Sequence, residues 1–476
     1  MERMKMDDDL RQIHEASMEI LEQCGVIFHH PEVLEALKQN GVRVEGKTAF
    51  FSERQVMDWL AKAPSEFKIY ARNPKYDMLI GGDEVNCVPG GYGMSKIVEL
   101  DGTKREVTKE DYINFVKLIQ QSDYFKANGG VIVEPEDLVS GTYFPIMMLT
   151  ALNYSDKTLQ GYLGGTEMTE QTMDMLGIVF GGKDKLKAKP RIATIVSTTS
   201  PLQYDKTMLE TMLVYLKYGQ PVILTPATMA GTTGPVTLAG TIALANAETL
   251  AGIAAAQMLK EGTPVIYGSA STTADMKSGG IAIGAPESAL CAVYCARLAK
   301  AYNLPCRGGG TLTDAKSLSV QSAYEGMMVF LATHQANMNY IIHSAGVMDG
   351  YVSFSYEKFI VDLEIIGMVK RFLSGVAVNK DTLAVDVIKE VGPAGEFLTS
   401  MHTMLNCRKE PFIPSISLRE AIEDDPNKKI IENIENKKKA MLDSYVKPEL
   451  PEDVQKQLVD YLVGKGFKIE LINSML

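Results

Sequence analysis

Beyond about residue 126 the chain alternates short apolar runs with longer segments whose apolar residues recur at helical spacing. The runs cover 130–133, 158–163, 191–197, 221–225, 264–267, 304–307 and 339–343. The helical patterns cover 206–218, 245–261, 285–302 and 319–337, and another at 359–373 follows the last run. Continuous apolar runs of four to seven residues suit strands buried on both faces. From 191 onward the runs start 30 to 43 residues apart, a spacing compatible with right-handed strand–helix–strand crossovers. Seven such units in succession, with glycines after the strands, predict an α/β fold of the TIM-type (β/α)8 barrel class rather than an open doubly wound sheet. The eighth strand has no clear place in the pattern.

Both ends of the chain differ in texture. Residues 9–25 read as a helix with Leu10, Ile13, Ile20 and Leu21 on one face and Gly25 as its C-cap. A second helix is expected at 31–40, and a third at 52–63, where Ser52 caps and Gln55 follows three residues later. Residues 67–71 and 85–88 read as strands, and Trp59, the single tryptophan, as core. After Pro411, residues 416–467 are charged and helical, and Lys437, Lys438 and Lys439 read as a solvated face. The expected division is an N-terminal α+β appendage (1–110), a barrel catalytic domain (111–415) and a C-terminal helical segment (416–476).

Composition narrows the function classes. With 476 residues, 46% of them hydrophobic, the chain can bury a large core, which excludes a disordered or collagen-like protein. A net charge of −11 argues against nucleic acid as the main partner. Residues 1–10 lack the apolar stretch of a signal peptide. The apolar segment 242–259 is interrupted by Asn246, Glu248 and Gln257, so it reads as a buried helix rather than a membrane span. Six cysteines without a CxxC pair form no disulfide framework, and Cys291 and Cys295 read as packing. The expectation is a cytoplasmic enzyme.

Gly177, Gly182 and Lys183 imitate half of a phosphate loop, but Asp184 stands where Ser or Thr belongs. Barrel chemistry gathers at the carboxyl ends of the strands. Those positions hold Tyr162, Thr198, Thr228, Ser269, Arg307 with Gly308–Gly310, and His343 with Ser344. The glycines allow close backbone approach to a ligand, and the Arg307 fork suits a carboxylate. His343 ends an apolar run, where a barrel presents a functional imidazole, and is the candidate catalytic residue. His334 reads as structural, and His14, His29 and His30 form no ligand set. Lys316 raises a rival, a Schiff-base aldolase, although Asp314 nearby would keep it protonated.

Four motifs occur in order: Ala230-Gly-Thr-Thr-Gly-Pro-Val-Thr-Leu-Ala239, Asn246-Ala-Glu-Thr-Leu-Ala-Gly252, Gly262-Thr-Pro-Val-Ile-Tyr-Gly268 and Phe354-Ser-Tyr-Glu-Lys358. In them the chain resembles the trimethylamine methyltransferase family over roughly residues 10–414. The resemblance implies a TIM barrel that transfers a methyl group from an amine to the cobalt of a separate corrinoid protein. The family's trimethylamine enzymes carry pyrrolysine, whereas this sequence has only ordinary residues. It therefore resembles the non-pyrrolysine branch, whose members demethylate quaternary amines such as glycine betaine, proline betaine and carnitine. An aromatic cage suits such a cation, and the candidate walls are Tyr92, Tyr162, Phe354 and Tyr356. Arg307, Gln321 and His343 are the candidate donors to a betaine carboxylate. No cofactor is expected on this chain. The corrinoid (cobalamin) belongs to a cognate partner protein, and the chain is expected to form a homo-oligomer that binds no nucleic acid or membrane. A non-catalytic betaine-binding protein is the second alternative.

Overall fold

The apolar runs come together as one parallel sheet. In a computed structural model, which describes residues 6–90, 93–138, 143–421 and 425–476, the first four strands are β1 (Asn86–Cys87), β2 (Ala127–Gly129), β3 (Thr158–Gln160) and β4 (Ile192–Ser197). The other four are β5 (Val222–Thr225), β6 (Val265–Gly268), β7 (Cys306–Gly309) and β8 (Tyr340–Ile342). Each strand from β2 to β8 pairs in parallel with the next, and β8 pairs with β1. A parallel bridge from Cys87 to Phe125 brings β1 beside the entry to β2 and closes the ring. One long helix follows each strand: α1 (Lys109–Gln121), α2 (Phe144–Tyr154), α3 (Gly165–Phe180), α4 (Lys206–Lys217), α5 (Leu238–Leu259), α6 (Pro286–Ala301), α7 (Val320–Gln335) and α8 (Tyr356–Leu373). This is the sequential order of a TIM-type barrel.

Two strands depart from the expected pattern. The missing eighth strand is β1, which lies inside the segment expected to be appendage. It is only two residues long and held by polar contacts rather than an apolar run: Asn86 Nδ2 donates to Leu79 O (2.8 Å) and Asn339 O (3.1 Å). β2 ends before the apolar run 130–133, because Gly129 and Gly130 adopt φ of 80° and 71°.

Inside the barrel, Val88, Ala127, Ala193, Ile195, Ile223, Ile266, Tyr340 and Ile342 form a cluster separate from the main core. Ile69, Met78 and Ile80 join it from the antiparallel hairpin Glu66–Ile69/Met78–Gly81, which plugs the amino end of the barrel. The N-terminal segment is thus the floor of the barrel as well as its flank. Its helices Asp8–Gln23, Pro31–Gln39 and Glu53–Leu60 cover α5, the last of them with the expected Ser52/Gln55 capping box. Strand Val26–Phe28 pairs with Gln203–Tyr204 from the loop after β4, which stitches this segment to the barrel. Among the described residues α5 is the one helix long and apolar enough to cross a membrane, and 83% of its apolar window is buried.

Helix Pro426–Asp443 packs on α8 and α1. Its lysine run is less solvated than expected. Lys438 is ion-paired to Glu357 (2.7 Å) and Glu435 (2.8 Å), and Lys437 donates to Ser415 Oγ. Residues 374–412 form an excursion with three short helices, Lys380–Leu383, Val385–Val391 and Met401–Asn406, none of which buries a residue. It leaves α8 at the amino end of the barrel, where Leu373 and Ser374 share a cleft with Asp83, Val85 and Asn337. It exposes Val376, Val378, Leu398, Met401 and Met404.

Candidate active site

Two small sheets build the rim at the carboxyl ends of the strands. One joins Met229–Ala230, Thr272–Ala274 and Ile281–Ala282 from the loops after β5 and β6. The other joins Lys96–Val98, Lys104–Glu106, Val347–Met348 and Ser353–Phe354 from the loops after β1 and β8.

Arg307 and His343 come together at this end. Arg307 follows the outward Cys306 on β7, so its side chain turns into the lumen, where Nη1 donates to Ser269 O (2.9 Å). His343 lies just beyond β8 in the left-handed region (φ 58°), with its ring 4.9 Å from that of Tyr351. Both residues are buried. Burial, and then the positive charge of Arg307, hold the imidazole well below its usual pKa, so it is neutral near pH 7. Within the triple glycine, Gly310 has a packing role. A Cβ on Gly310 would lie 2.6 Å from Ser344 Cα and 2.7 Å from His343 O, so this glycine lets two strand ends touch.

The other candidates are spread out. Tyr162, just past β3, has its hydroxyl 3.3 Å from Tyr112 Oη and its ring 5.1 Å from Phe144. Gln321 lies in the first turn of α7, where Nε2 donates to Glu325 Oε1 (2.9 Å). Phe354 and Tyr356 both pack on Phe115 of α1, at 4.7 and 4.2 Å between ring centroids, in the layer between barrel and helices. Tyr356 Oη also donates to Asp111 Oδ1 (2.9 Å). Tyr92 lies outside the described residues.

Two buried acidic groups support the mouth. Glu248 of α5, which interrupts the apolar segment 242–259 and lies within the motif 246–252, accepts from Thr198 Oγ1 (2.6 Å), Ser200 Oγ (2.7 Å) and Leu202 N (2.7 Å). It braces the loop after β4, and its burial raises its pKa. On α8, Lys358 and Asp362 form a fully buried ion pair. Lys358 Nζ also donates to Thr311 O (3.2 Å), and Asp362 accepts from Gly346 N (2.8 Å), so the pair ties the loops after β7 and β8 together.

The rival chemistries lose their residues. The Lys316 side chain is 69% exposed and paired with Asp349, not Asp314, so it is not a desolvated nucleophile. Asp314 instead accepts from the backbone of Ile283 and Gly284. Lys183 pairs with Asp174 and Glu170 beside a helix end, away from any strand-borne phosphate loop. Cys291 and Cys295 are buried and their thiols are pushed up by burial, Cys291 to about 12. Among the described residues no cluster of His, Cys, Asp and Glu is placed to hold a metal.

The model of the family described as "Trimethylamine methyltransferase (MTTB)" matches residues 2–468. The chain belongs to the trimethylamine methyltransferase family. Similar members of that family include a glycine betaine methyltransferase of Desulfitobacterium hafniense (strain Y51), 40% identical over 97% of both chains. A proline betaine:corrinoid methyltransferase of Eubacterium limosum is 29% identical over 88% of this chain and 87% of its own. The trimethylamine methyltransferase MttB of D. hafniense (strain DSM 10664 / DCB-2) is 32% identical over 85% and 82%. The fold is also that of the Methanosarcina barkeri monomethylamine methyltransferase, with a TM-score of 0.51 at 11% identity over 92% of this chain and 94% of the other.

Proposed function

We propose that this trimethylamine methyltransferase family member transfers a methyl group from a carboxylated quaternary amine, a betaine, to the Co(I) corrinoid of a partner protein. The observation that carries this reading is the pairing of a buried guanidinium, Arg307, with a neutral buried imidazole, His343, at the barrel mouth. The similarity to glycine betaine and proline betaine methyltransferases supports it.

A betaine needs a cationic group for its carboxylate and a site for its ammonium that carries no full negative charge. Charge on nitrogen disappears as the carbon–nitrogen bond breaks, so a carboxylate against the ammonium would favour the ground state over the transition state. Arg307 offers its fork to the carboxylate. His343, neutral, orients the substrate by donating a ring N–H to the same carboxylate without adding a second charge, since a quaternary nitrogen offers neither an N–H nor a lone pair. The partner's reduced corrinoid, when docked, supplies the nucleophile. The leaving amine departs neutral and needs no proton, which suits an imidazole held unprotonated. Val236, Met276 and Val352, in the loops after β5, β6 and β8, and Val320 at the start of α7 are exposed at the rim and suit a docking protein.

The test is an assay of cobalt methylation with a Co(I) corrinoid protein and, in parallel, glycine betaine, proline betaine, carnitine and trimethylamine. Turnover of one or more betaines only when the corrinoid protein is present is expected. Turnover of trimethylamine alone, or betaine binding without any transfer, would overturn the reading.

A further inference from the structure

β3 lies in a run whose apolarity predicts an ordinary buried strand, yet it carries a polar side chain into the lumen. Leu159 packs outward into the core shared with the helices, so Gln160 faces inward, in register with Ala193 of the lumen cluster. Gln160 is 1% exposed, and neither Nε2 nor Oε1 has a hydrogen-bond partner. Other buried carboxamides are better served: Asn86 and Asn153 both donate through Nδ2. The Gln160 side chain fills the space left by Gly130, where an added Cβ would lie 3.1 Å from Gln160 Cγ.

A second orphan lies in the same lumen. Thr225 at the end of β5 is buried with Oγ1 unpartnered, and it leans over Gly268, where a Cβ would sit 2.1 Å from that oxygen. Gly268 is in register with Arg307. Thr225, Gly268 and Arg307 therefore run side by side across β5, β6 and β7, while β3 stands four strands from β7 on the opposite wall. Buried polar groups without partners are rare because each forfeits its bonds to water. The hydrophobic residues of this lumen are mainly Val, Ala and Ile together with Tyr340, so an apolar side chain would also pack at position 160.

We propose that Gln160 is a specificity-determining residue that hydrogen-bonds the carboxylate of the betaine from the wall opposite Arg307. The inference rests on the methyl-transfer reading above. Nε2 donates to a carboxylate oxygen. Oε1 turns its partial negative charge toward the methylated ammonium, a milder attraction than a full carboxylate would exert. Thr225 Oγ1 adds a second donor from β5.

The test uses the purified full chain and measures binding of glycine betaine and of choline, which has the same ammonium but no carboxylate, without a corrinoid protein. Gln160→Met should fold with an unchanged or higher Tm, because it removes an unsatisfied amide. It should weaken glycine betaine about tenfold or more and choline much less. Gln160→Glu places a negative charge against the carboxylate and should abolish betaine binding while sparing choline. This second variant decides the matter if the first does not fold. Undiminished betaine affinity in either folded variant, or equal losses for both ligands, would overturn the assignment of Gln160. A wild-type chain that binds no betaine would instead refute the functional reading, and with it this inference.

Discussion

His343 combines a left-handed backbone with a buried, neutral ring. Asn tolerates that backbone better than Ala does, so His343→Asn separates loss of the imidazole from backbone strain. If the imidazole orients the substrate or its departing amine, the variant should turn over at least about tenfold more slowly, ~1.4 kcal/mol of barrier, in the cobalt methylation assay. An unchanged rate in a folded variant would leave His343 a structural role only. Its titration gives an independent readout. The folded pKa lies below the unfolded value of about 6.5, so the stabilisation is fully present above that pH and is lost as pH falls toward the folded value. Between about pH 7 and pH 5 the wild-type Tm should therefore fall further than that of His343→Asn. His334 shifts in the same direction in both proteins and cancels in the comparison. Arg307 and His343 are legible in the sequence because each lies at the end of an apolar run beside an adjoining glycine or serine. Gln160 is not, because it sits within a run whose overall apolarity hides the alternation of lumen and helix faces.

At the scale of elements, parallel strands buried on both faces announce themselves as apolar runs, and most of the barrel is legible for that reason. The strand at 85–88 is legible but not its place in the barrel, because Asn86 and Cys87 follow no long helical pattern and are held by side-chain hydrogen bonds to distant backbone. β2 is displaced because Asn128 points outward and donates to Val116 O (2.9 Å), which breaks the apolar pattern. Helix α8 shows how one element sets the geometry of two loops. Its buried Lys358–Asp362 pair holds Thr311 and Gly346, the residues that follow the Arg307 and His343 strand ends. Lys358→Met leaves Asp362 buried without its cation and should cost about 3–5 kcal/mol in urea unfolding. Adding Asp362→Leu should recover part of that loss, as expected for a buried pair replaced by apolar groups. A double variant less stable than the single would show that the backbone contacts, rather than the stranded charge, dominate.

For the whole molecule, the mouth where the proposed corrinoid partner would dock and the excursion 374–412 lie at opposite ends of the barrel. A protein that docks at the mouth cannot cover Val376 or Leu398, which are 77% and 76% exposed. The excursion carries four basic and five acidic side chains, close to neutral in a chain of net charge −11, so self-repulsion there is small. If the expected homo-oligomer forms through this face, sedimentation velocity should find an oligomer. Val376→Asp with Leu398→Asp should shift it toward monomer with betaine binding unchanged. A monomeric wild type would rule this contact out.

The hairpin at the amino end has a further consequence for traffic through the barrel. With Ile69, Met78 and Ile80 packed against the lumen residues, the amino end of the barrel is stoppered among the described residues. On the proposed function, substrate and demethylated product would then share the carboxyl-end mouth with the corrinoid. That traffic predicts an ordered cycle, in which the amine enters before the partner arrives and the product waits until the partner leaves, so each turnover would contain an undocking.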